Sequence, residues 1–479
     1  MSDLLNSASL VMIPSGYKED TVFSAIPTDG SGDLTFTRAS NGTRVNSAGL
    51  VEVCPWNLVQ YSEDFSNAAW TKLNGIAVTT NTINAPNGTL TADTIEKAGG
   101  SGGVGFYYIV QNTIFEQLTN FFYVKYKSGS GIVWLLGKNS GTFAFYDVIN
   151  GTALSKSSGM TTSIESVGDG WYKCIFSQTY VGATSTEFGI GLCVADGTPN
   201  YNATTSATQS VYIWGAQSNI GSTAKPYFPT TDRLNVPRLT YQNGGGGCPS
   251  LLLEKQSTNA VFPSEDFSTT WSLYNSATVT TNQATSPDGT QNADKITTTN
   301  SANALYNVND AGSSAGDYTA SIFVKPINNN SLGLGMTNDT TGEAFVLINV
   351  ATGVGTTTSQ TGWSNATYTW QQHANGWYRI TLTATKGSGG AARFILKGNS
   401  SSDYYIWGAQ LEASSYVTSY IPSTSSSATR VADACSKTGI SSLIGQTQGT
   451  LFIDVTEEAK NDGRYIFVSD ASFANRIVI

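Results

Sequence analysis

Short runs in which apolar and polar residues alternate recur along the whole chain. Phe121 to Lys127, Tyr172 to Thr179, Phe188 to Val194 and Thr319 to Lys325 are examples, separated by clusters of Gly, Asn, Asp and Ser. Alternation sends successive side chains to opposite faces of an extended backbone, so each run reads as a half-buried strand. No stretch of useful length keeps the spacing of an amphipathic helix. Many short strands with regular turn signals predict an all-β chain built of antiparallel two-sheet sandwiches of the jelly-roll kind.

The pattern also repeats at long range. Ser62-Glu63-Asp64-Phe65 returns as Ser264-Glu265-Asp266-Phe267, Trp70 as Trp271, and Pro86-Asn87-Gly88-Thr89 as Pro287-Asp288-Gly289-Thr290. Gly170-Trp171-Tyr172-Lys173 returns as Gly376-Trp377-Tyr378-Arg379, and Tyr212-Ile213-Trp214-Gly215-Ala216-Gln217 as Tyr405-Ile406-Trp407-Gly408-Ala409-Gln410. The offset is 202 at the first landmark (62 to 264) and 193 at the last (212 to 405), so length changes fall in loops between shared strands.

Two tandem modules follow, 57–232 and 259–431. Between them 233–258 carries the breaker cluster Asn243-Gly244-Gly245-Gly246-Gly247-Cys248-Pro249 and reads as a linker. Residues 1–56 hold the apolar patches Leu10 to Ile13 and Val22 to Ile26, too little for a core, and are expected to form an extended N-terminal anchor folded against a partner. Residues 432–479 open a new strand pattern at Thr450 to Val455 and Arg464 to Val468, the start of a further, incomplete β domain.

Composition narrows the function classes. Charged residues make up 12 %, the net charge is −9 and no Lys/Arg run occurs, which argues against nucleic acid as a partner. No stretch approaches the length of an apolar membrane span, and the N-terminus lacks a secretory signal, so no membrane insertion and synthesis in a cytosol are expected. The 23 Tyr, 20 Phe and 10 Trp supply the apolar bodies of the cores. Five cysteines argue against a disulfide framework.

Parity along the strands sorts core from surface. Tyr172, Cys174 and Phe176 share one face, as do Tyr378, Ile380 and Leu382. Trp171 with Lys173, and Trp377 with Arg379, share the other, where a basic chain is expected over each indole. Trp214 and Trp407 are assigned to the core. Cys174 and Cys193 lie symmetrically about the turn at 181–186, so a hairpin would bring them together, as free thiols or as a cross-strand disulfide. Ile380 and Ile395 hold the matching positions in the second module.

The tract Asp232 to Leu239, then Cys248 to Glu254 and Thr258-Asn259 before the Ser-Glu-Asp-Phe landmark, resembles tail-fibre and virion proteins of bacteriophages, crAss-like phages of gut bacteria among them. Phe36 to Ser40, Thr43 to Asn46 and the stretch from Tyr405 to Ile421-Pro422 carry the same likeness. The resemblance implies carbohydrate-binding-like jelly rolls, with a concanavalin-like domain opening at Gly449 to Phe452. It also implies a place in the virion, contacts with other virion proteins through the N-terminal segment, host-surface polysaccharide as ligand, and a homo-oligomer, in most fibres a trimer.

Sugar-binding sandwiches present aromatic faces to the apolar faces of pyranose rings, with polar groups around them. Aromatics not shared by the two modules are therefore the glycan candidates, Tyr107, Trp134 and Tyr146 in the first and Tyr306, Trp363 and Trp370 in the second; ordinary packing is the alternative for each. No catalytic residue is assigned. His373 is the single histidine and sits in a polar turn, and no His/Cys metal cluster occurs. Glu63-Asp64 and Glu265-Asp266, each before an apolar Phe, read as turn or edge-strand residues. Asp93 and Asp294 are the only candidates for a structural Ca²⁺, and no other cofactor is expected.

Overall fold

The computed structural model describes residues 7–73, 75–98, 104–110, 117–137, 142–180, 186–196, 208–242, 244–300, 303–328, 331–338, 342–399, 401–445, 447–456, 467–469 and 476–478. Strands and turns dominate them, with a 3-10 turn at Ala374–Gly376. The all-β expectation holds, and each module is a sandwich of two six-stranded antiparallel sheets.

In module 1 the back sheet runs in the order Met160–Gly168, Trp171–Thr179, Gln117–Ser128, Gln209–Ile220, Ala92–Lys97, Ala77–Ile83. Its front sheet runs Thr152–Lys156, Thr142–Asp147, Ile132–Gly137, Thr186–Cys193, Val104–Val110, Thr71–Lys72. Module 2 repeats both orders. Its back sheet is Trp363–Gln372, Tyr378–Lys386, Gly316–Pro326, Ser402–Glu412, Ala293–Thr298, Thr278–Ala284, and its front sheet Gly355–Ser359, Glu343–Asn349, Ser331–Thr337, Arg393–Lys397, Asn303–Asp310, Trp271–Leu273. The inward faces form one apolar core per module, around Trp70, Phe122, Phe176 and Ile190 in the first and Phe267, Ile322, Leu334 and Phe394 in the second.

The shared landmarks are structural devices. In Tyr-Ile-Trp-Gly-Ala-Gln the glycines stand at φ +63° (Gly215) and +64° (Gly408), where the pairing register with the neighbouring strand shifts. A Cβ on Gly215 would lie 2.8 Å from the Tyr123 ring, and one on Gly408 3.0 Å from Phe323, so both handedness and closeness require glycine. Asp93 accepts the backbone N–H groups of Phe65 (3.1 Å) and Asn81 (2.9 Å), and Asp294 those of Phe267 (2.9 Å) and Asn282 (3.0 Å). Both aspartates thus staple the module entrance to the back sheet with both carboxylate oxygens, a role other than the Ca²⁺ ligation considered for them. Asp64 and Asp266 each accept the N–H two residues on, at Ser66 and Ser268, and are turn residues as expected.

Two expectations about side chains are corrected. Trp171–Thr179 and Thr186–Cys193 are no hairpin: the first lies in the back sheet and the second in the front sheet, so Cys174 faces the core, Cys193 the outer side, and both are free. Lys173 and Arg379 lie over phenylalanines of the adjacent strand, Phe121 at 4.2 Å and Phe323 at 5.2 Å, and not over the neighbouring indoles. Trp171, Trp377, Trp214 and Trp407 are all buried.

The N-terminal segment also differs from expectation. From Tyr17 onward it is folded onto this same chain. Tyr17–Lys18, Thr21–Val22 and Leu34–Thr37 make a sheet with Ala434–Ser436, and Gly42–Val45 pairs with Val51–Cys54 as a hairpin. Buried ion pairs explain the folding. Arg38 and Arg238 both reach Asp433, Arg38 at 2.9 Å, Arg238 holds Glu254 at 2.7 Å and Arg430 stands 3.5 Å from it; the three arginines are at most 1 % exposed. On the module 1 side Glu52 joins Arg44 (2.8 Å) and Lys225 (2.6 Å). Segment, linker and the residues after module 2 therefore form one junction between the sandwiches.

At the far edge of module 2 the buried Lys386 donates to the carbonyls of Ser313 (3.0 Å), Gly387 (3.2 Å) and Gly389 (3.0 Å). Replacing it with methionine keeps the stem and leaves three carbonyls without their ammonium. Urea denaturation of Lys386→Met is expected to show a loss of about 2 kcal/mol.

Candidate functional site

The outer face of the front sheet distinguishes the two modules. Each strand there presents alternate residues outward, and the register aligns them in rows. In module 2 one row reads Thr358, Phe345, Gly335, Ile395, Tyr306, Ser272, and the next Thr356, Leu347, Gly333, Lys397. The matching rows of module 1 hold Phe143, Leu136, Gly189, Tyr107 and Phe145, Trp134, Gly191. Large and small side chains are thus exchanged between the third and fourth strands.

The exchange decides what each face offers. In module 1 Trp134 (4 % exposed) meets Phe143 edge-on at 5.4 Å and, with Leu136, Phe145 and Cys193, forms a buried outer cluster. In module 2 the glycines of the third strand leave room for the side chains that lie across them. A Cβ on Gly333 would sit 2.6 Å from that of Lys397, and one on Gly335 2.8 Å from Ile395. The result is a low floor between aromatic walls.

On one side of this floor stand Tyr306 and Tyr274, ring centroids 6.2 Å apart and nearly perpendicular. Tyr274 is 47 % exposed and Tyr306 half-buried. Arg393 donates to the Tyr306 hydroxyl at 2.7 Å, which fixes the ring. Phe345 and Leu347 form the other side, where Lys397 lies 4.2 Å over the Phe345 ring and pairs with Glu343. Thr337, Thr356 and Thr358 add hydroxyls. The face therefore combines accessible ring surface with fixed charges and hydroxyls, the combination that a polyhydroxylated ligand with apolar patches requires.

Of the six aromatics singled out from sequence, Tyr306 lies on this face. Three are corrected, because they are buried. Trp134 belongs to the closed outer cluster of module 1; Tyr146 is fully buried and donates its hydroxyl to the Ile175 carbonyl at 2.5 Å; Trp363 is 6 % exposed and part of the module 2 core. Trp370 is half-buried, stacked on Tyr378 at 5.2 Å with its Nε1 donating to the Val350 carbonyl at 2.6 Å, which makes it a closure of the sandwich end. Tyr107 occupies the register position of Tyr306 in module 1, and its side chain lies outside the described residues.

Tyr274, Arg393, Phe345 and Lys397 complete the face and are not among the sequence candidates. For Tyr274 the sequence does hold a signal, since module 1 has Leu73 at the matching position three residues after the shared Trp. Arg393 and Lys397 gain meaning only from the strand register.

His373 is buried against Phe323 at 5.0 Å, and neither ring nitrogen has a hydrogen-bond partner. Burial, reinforced by Arg379, pushes its pKa down to about 3, so the ring is neutral at ordinary pH. Glu63 and Glu265 accept the hydroxyls of Tyr227 (3.1 Å) and Tyr420 (3.0 Å), and burial holds both carboxyls above their usual range. Among the described residues no group of three His, Cys, Asp or Glu could hold a metal ion, and no helix is long and apolar enough to cross a membrane.

No protein-family model and no curated protein sequence matches the chain. Among solved structures it is matched to the N-terminal CBM22-1-CBM22-2 tandem domain of Paenibacillus barcinonensis Xyn10C, at 12 % identity over 75 % of this chain and 98 % of that one, with a TM-score of 0.23.

Proposed function

We propose that this chain is a bacteriophage fibre protein, carried on the tail or head of the virion, that attaches the particle to host-surface glycans and does not cleave them. The phage setting rests on the sequence tracts 36–46 and 232–259. The glycan reading rests on one observation, the open front face of module 2 with Tyr274, Tyr306 and Arg393 beside a glycine floor. A sugar ring laid on the tyrosines would find donors and acceptors in Arg393, Glu343 and the row of threonines. Single contacts of this kind are weak and gain strength when several copies engage together, which fits a homo-oligomeric fibre.

A second reading, a connector that only spaces parts of the virion, draws on the buried junction, whose ion pairs fix the two sandwiches against each other. The readings part in one experiment. The purified chain is applied to host cells and to a glycan array beside a Tyr274→Ala, Tyr306→Ala double variant, with Val354→Ser, at a position 71 % exposed, as control. Glycan attachment predicts binding by the wild type and the control and a loss of about tenfold or more in the double variant, roughly 1.4 kcal/mol. Absence of glycan binding by the folded, assembled wild type would leave the connector.

A further inference from the structure

Each module is preceded by the same element. Leu50-Val51-Glu52 before module 1 returns as Leu252-Leu253-Glu254 before module 2, and Asn57 returns as Asn259, all at the offset of 202 residues (52 to 254). The two glutamates act alike. Glu52 holds the Lys225 ammonium at 2.6 Å and Glu254 accepts the Ser419 N–H at 2.7 Å, each from the tail that leads into Tyr227 or Tyr420.

The first of these elements has a second contact, with the following module. The Val51 N–H donates to the Pro287 carbonyl at 2.9 Å, and the Thr43 hydroxyl to the Tyr420 carbonyl. Val51, 7 % exposed, joins Phe323, Trp377, Trp407 and Tyr420 in one apolar cluster. The hairpin before module 1 is thus seated on the back of module 2.

Both halves of this contact recur elsewhere in the chain without each other. Leu253, the counterpart of Val51, is 43 % exposed. The matching cluster of module 1, with Tyr123, Trp171, Trp214 and Tyr227, includes no counterpart of Val51. Tyr227 is half-buried where Tyr420 is 3 % exposed, and Pro86 is half-buried and Thr89 exposed where their counterparts Pro287 and Thr290 are buried.

We propose that Leu253, with the hairpin before it in which Leu239–Thr240 pairs with Ser250–Leu251, seats in one copy of the chain on the Pro86 to Thr89 turn and Tyr227 of a second copy, repeating between chains the contact that Val51 makes within one. The interface is heterologous: each copy offers one surface of each kind, so copies join head to tail, in a ring if the rotation closes and in a row if it does not. Nothing in this arrangement depends on glycan binding, and its failure leaves the attachment reading untouched.

The test uses the full chain in sedimentation velocity over a concentration series, with Leu253→Asp and Asn87→Arg as variants at two exposed positions and thermal melting to confirm that each is folded. Wild type is expected to grow with concentration beyond dimers, and each variant alone to stay at the 50.7 kDa of one chain. Mixing the two variants is the decisive arm. An Asn87→Arg chain keeps its hairpin and a Leu253→Asp chain keeps its seat, so an equimolar mixture should form a dimer and stop there. Wild type that remains monomeric at every concentration, or variants that assemble like wild type, would overturn the proposal.

Discussion

Replacing Arg238 with alanine is expected to destabilise the junction by about 3 to 5 kcal/mol, the cost of stranding buried charges without their partner. Arg238 is fully buried between Glu254 and Asp433 and also donates to the Thr43 carbonyl at 3.1 Å and the Ser419 hydroxyl at 2.7 Å. Removing it leaves Asp433 with Arg38 at 2.9 Å and Arg430 at 4.0 Å, and Glu254 with Arg430 at 3.5 Å. The loss should appear as an early unfolding transition in urea, accompanied by protease cleavage in 1–56, while the modules melt later. Lys127→Ala, which breaks the exposed 3.5 Å pair with Glu96, should change stability by less than about 1 kcal/mol.

The same site sets an acid limit. Burial alone would raise the Glu254 carboxyl, but Arg238 and Arg430 outweigh it and hold the pKa at about 2, below its ordinary 4.5. A depressed folded-state pKa gives stability that is complete above the unfolded value and lost as pH falls. The early transition should therefore move to lower urea between pH 4.5 and 2, and a melt that is flat through this window would count against the assignment.

Asn259→Leu is expected to cost about 4 kcal/mol in module 2, where all four hydrogen-bonding positions of the side chain are used at once. Its Nδ2 donates to the carbonyls of Ala409 (3.0 Å) and Ile421 (2.9 Å), and its Oδ1 accepts the N–H groups of Val261 and Leu411, both at 3.1 Å. Leucine fills a similar volume and satisfies none of these buried groups. Asn57 makes the same four bonds in module 1, to Ala216, Phe228, Val59 and Ser218, so Asn57→Leu should fail to the same extent. If either variant unfolds within about 1 kcal/mol of wild type, the entrance strand is held by something else.

The contrast between these devices and the candidate site shows what a sequence can reveal. The glycine bulges and the four buried tryptophans stand in contiguous landmarks, so the repeat alone marks them out, whereas the paired asparagines Asn57 and Asn259 lie outside those landmarks. Strand alternation likewise gives the core face of each run. Sheet membership is different. Trp171–Thr179 and Thr186–Cys193 look like hairpin partners along the chain, yet the chain crosses from the back sheet to the front sheet between them, whereas Met160–Gly168 and Trp171–Thr179 do pair as a hairpin. The sequence between the strands does not tell the two cases apart.

Exposure is less legible still, because it is set by the neighbouring strand. Trp134 is buried in a face whose third strand carries large side chains, whereas Tyr306 looks onto a face where that strand carries Gly333 and Gly335. A search for unshared aromatics therefore finds both and ranks neither, and it counts as unshared Tyr107 and Tyr306, which the register places at one shared position. The junction has no local signal at all. Arg38 and Arg238 read as ordinary surface arginines until the fold brings Asp433 to them.

That junction also orders events during synthesis. Asp433 is made 395 residues after Arg38, an interval of about 20 to 80 s at the usual pace of translation. Module 1 has all its strands long before then and can fold beside a leading segment whose arginine is still in water. The last partner arrives only when module 2 has left the ribosome. Until Asp433 is made, the sandwiches are held only by the seat of Val51 and Thr43 on module 2 and by the Arg238–Glu254 pair. Arg38 and the strand Leu34–Thr37 wait for their partners Asp433 and Ala434–Ser436, so the junction closes last.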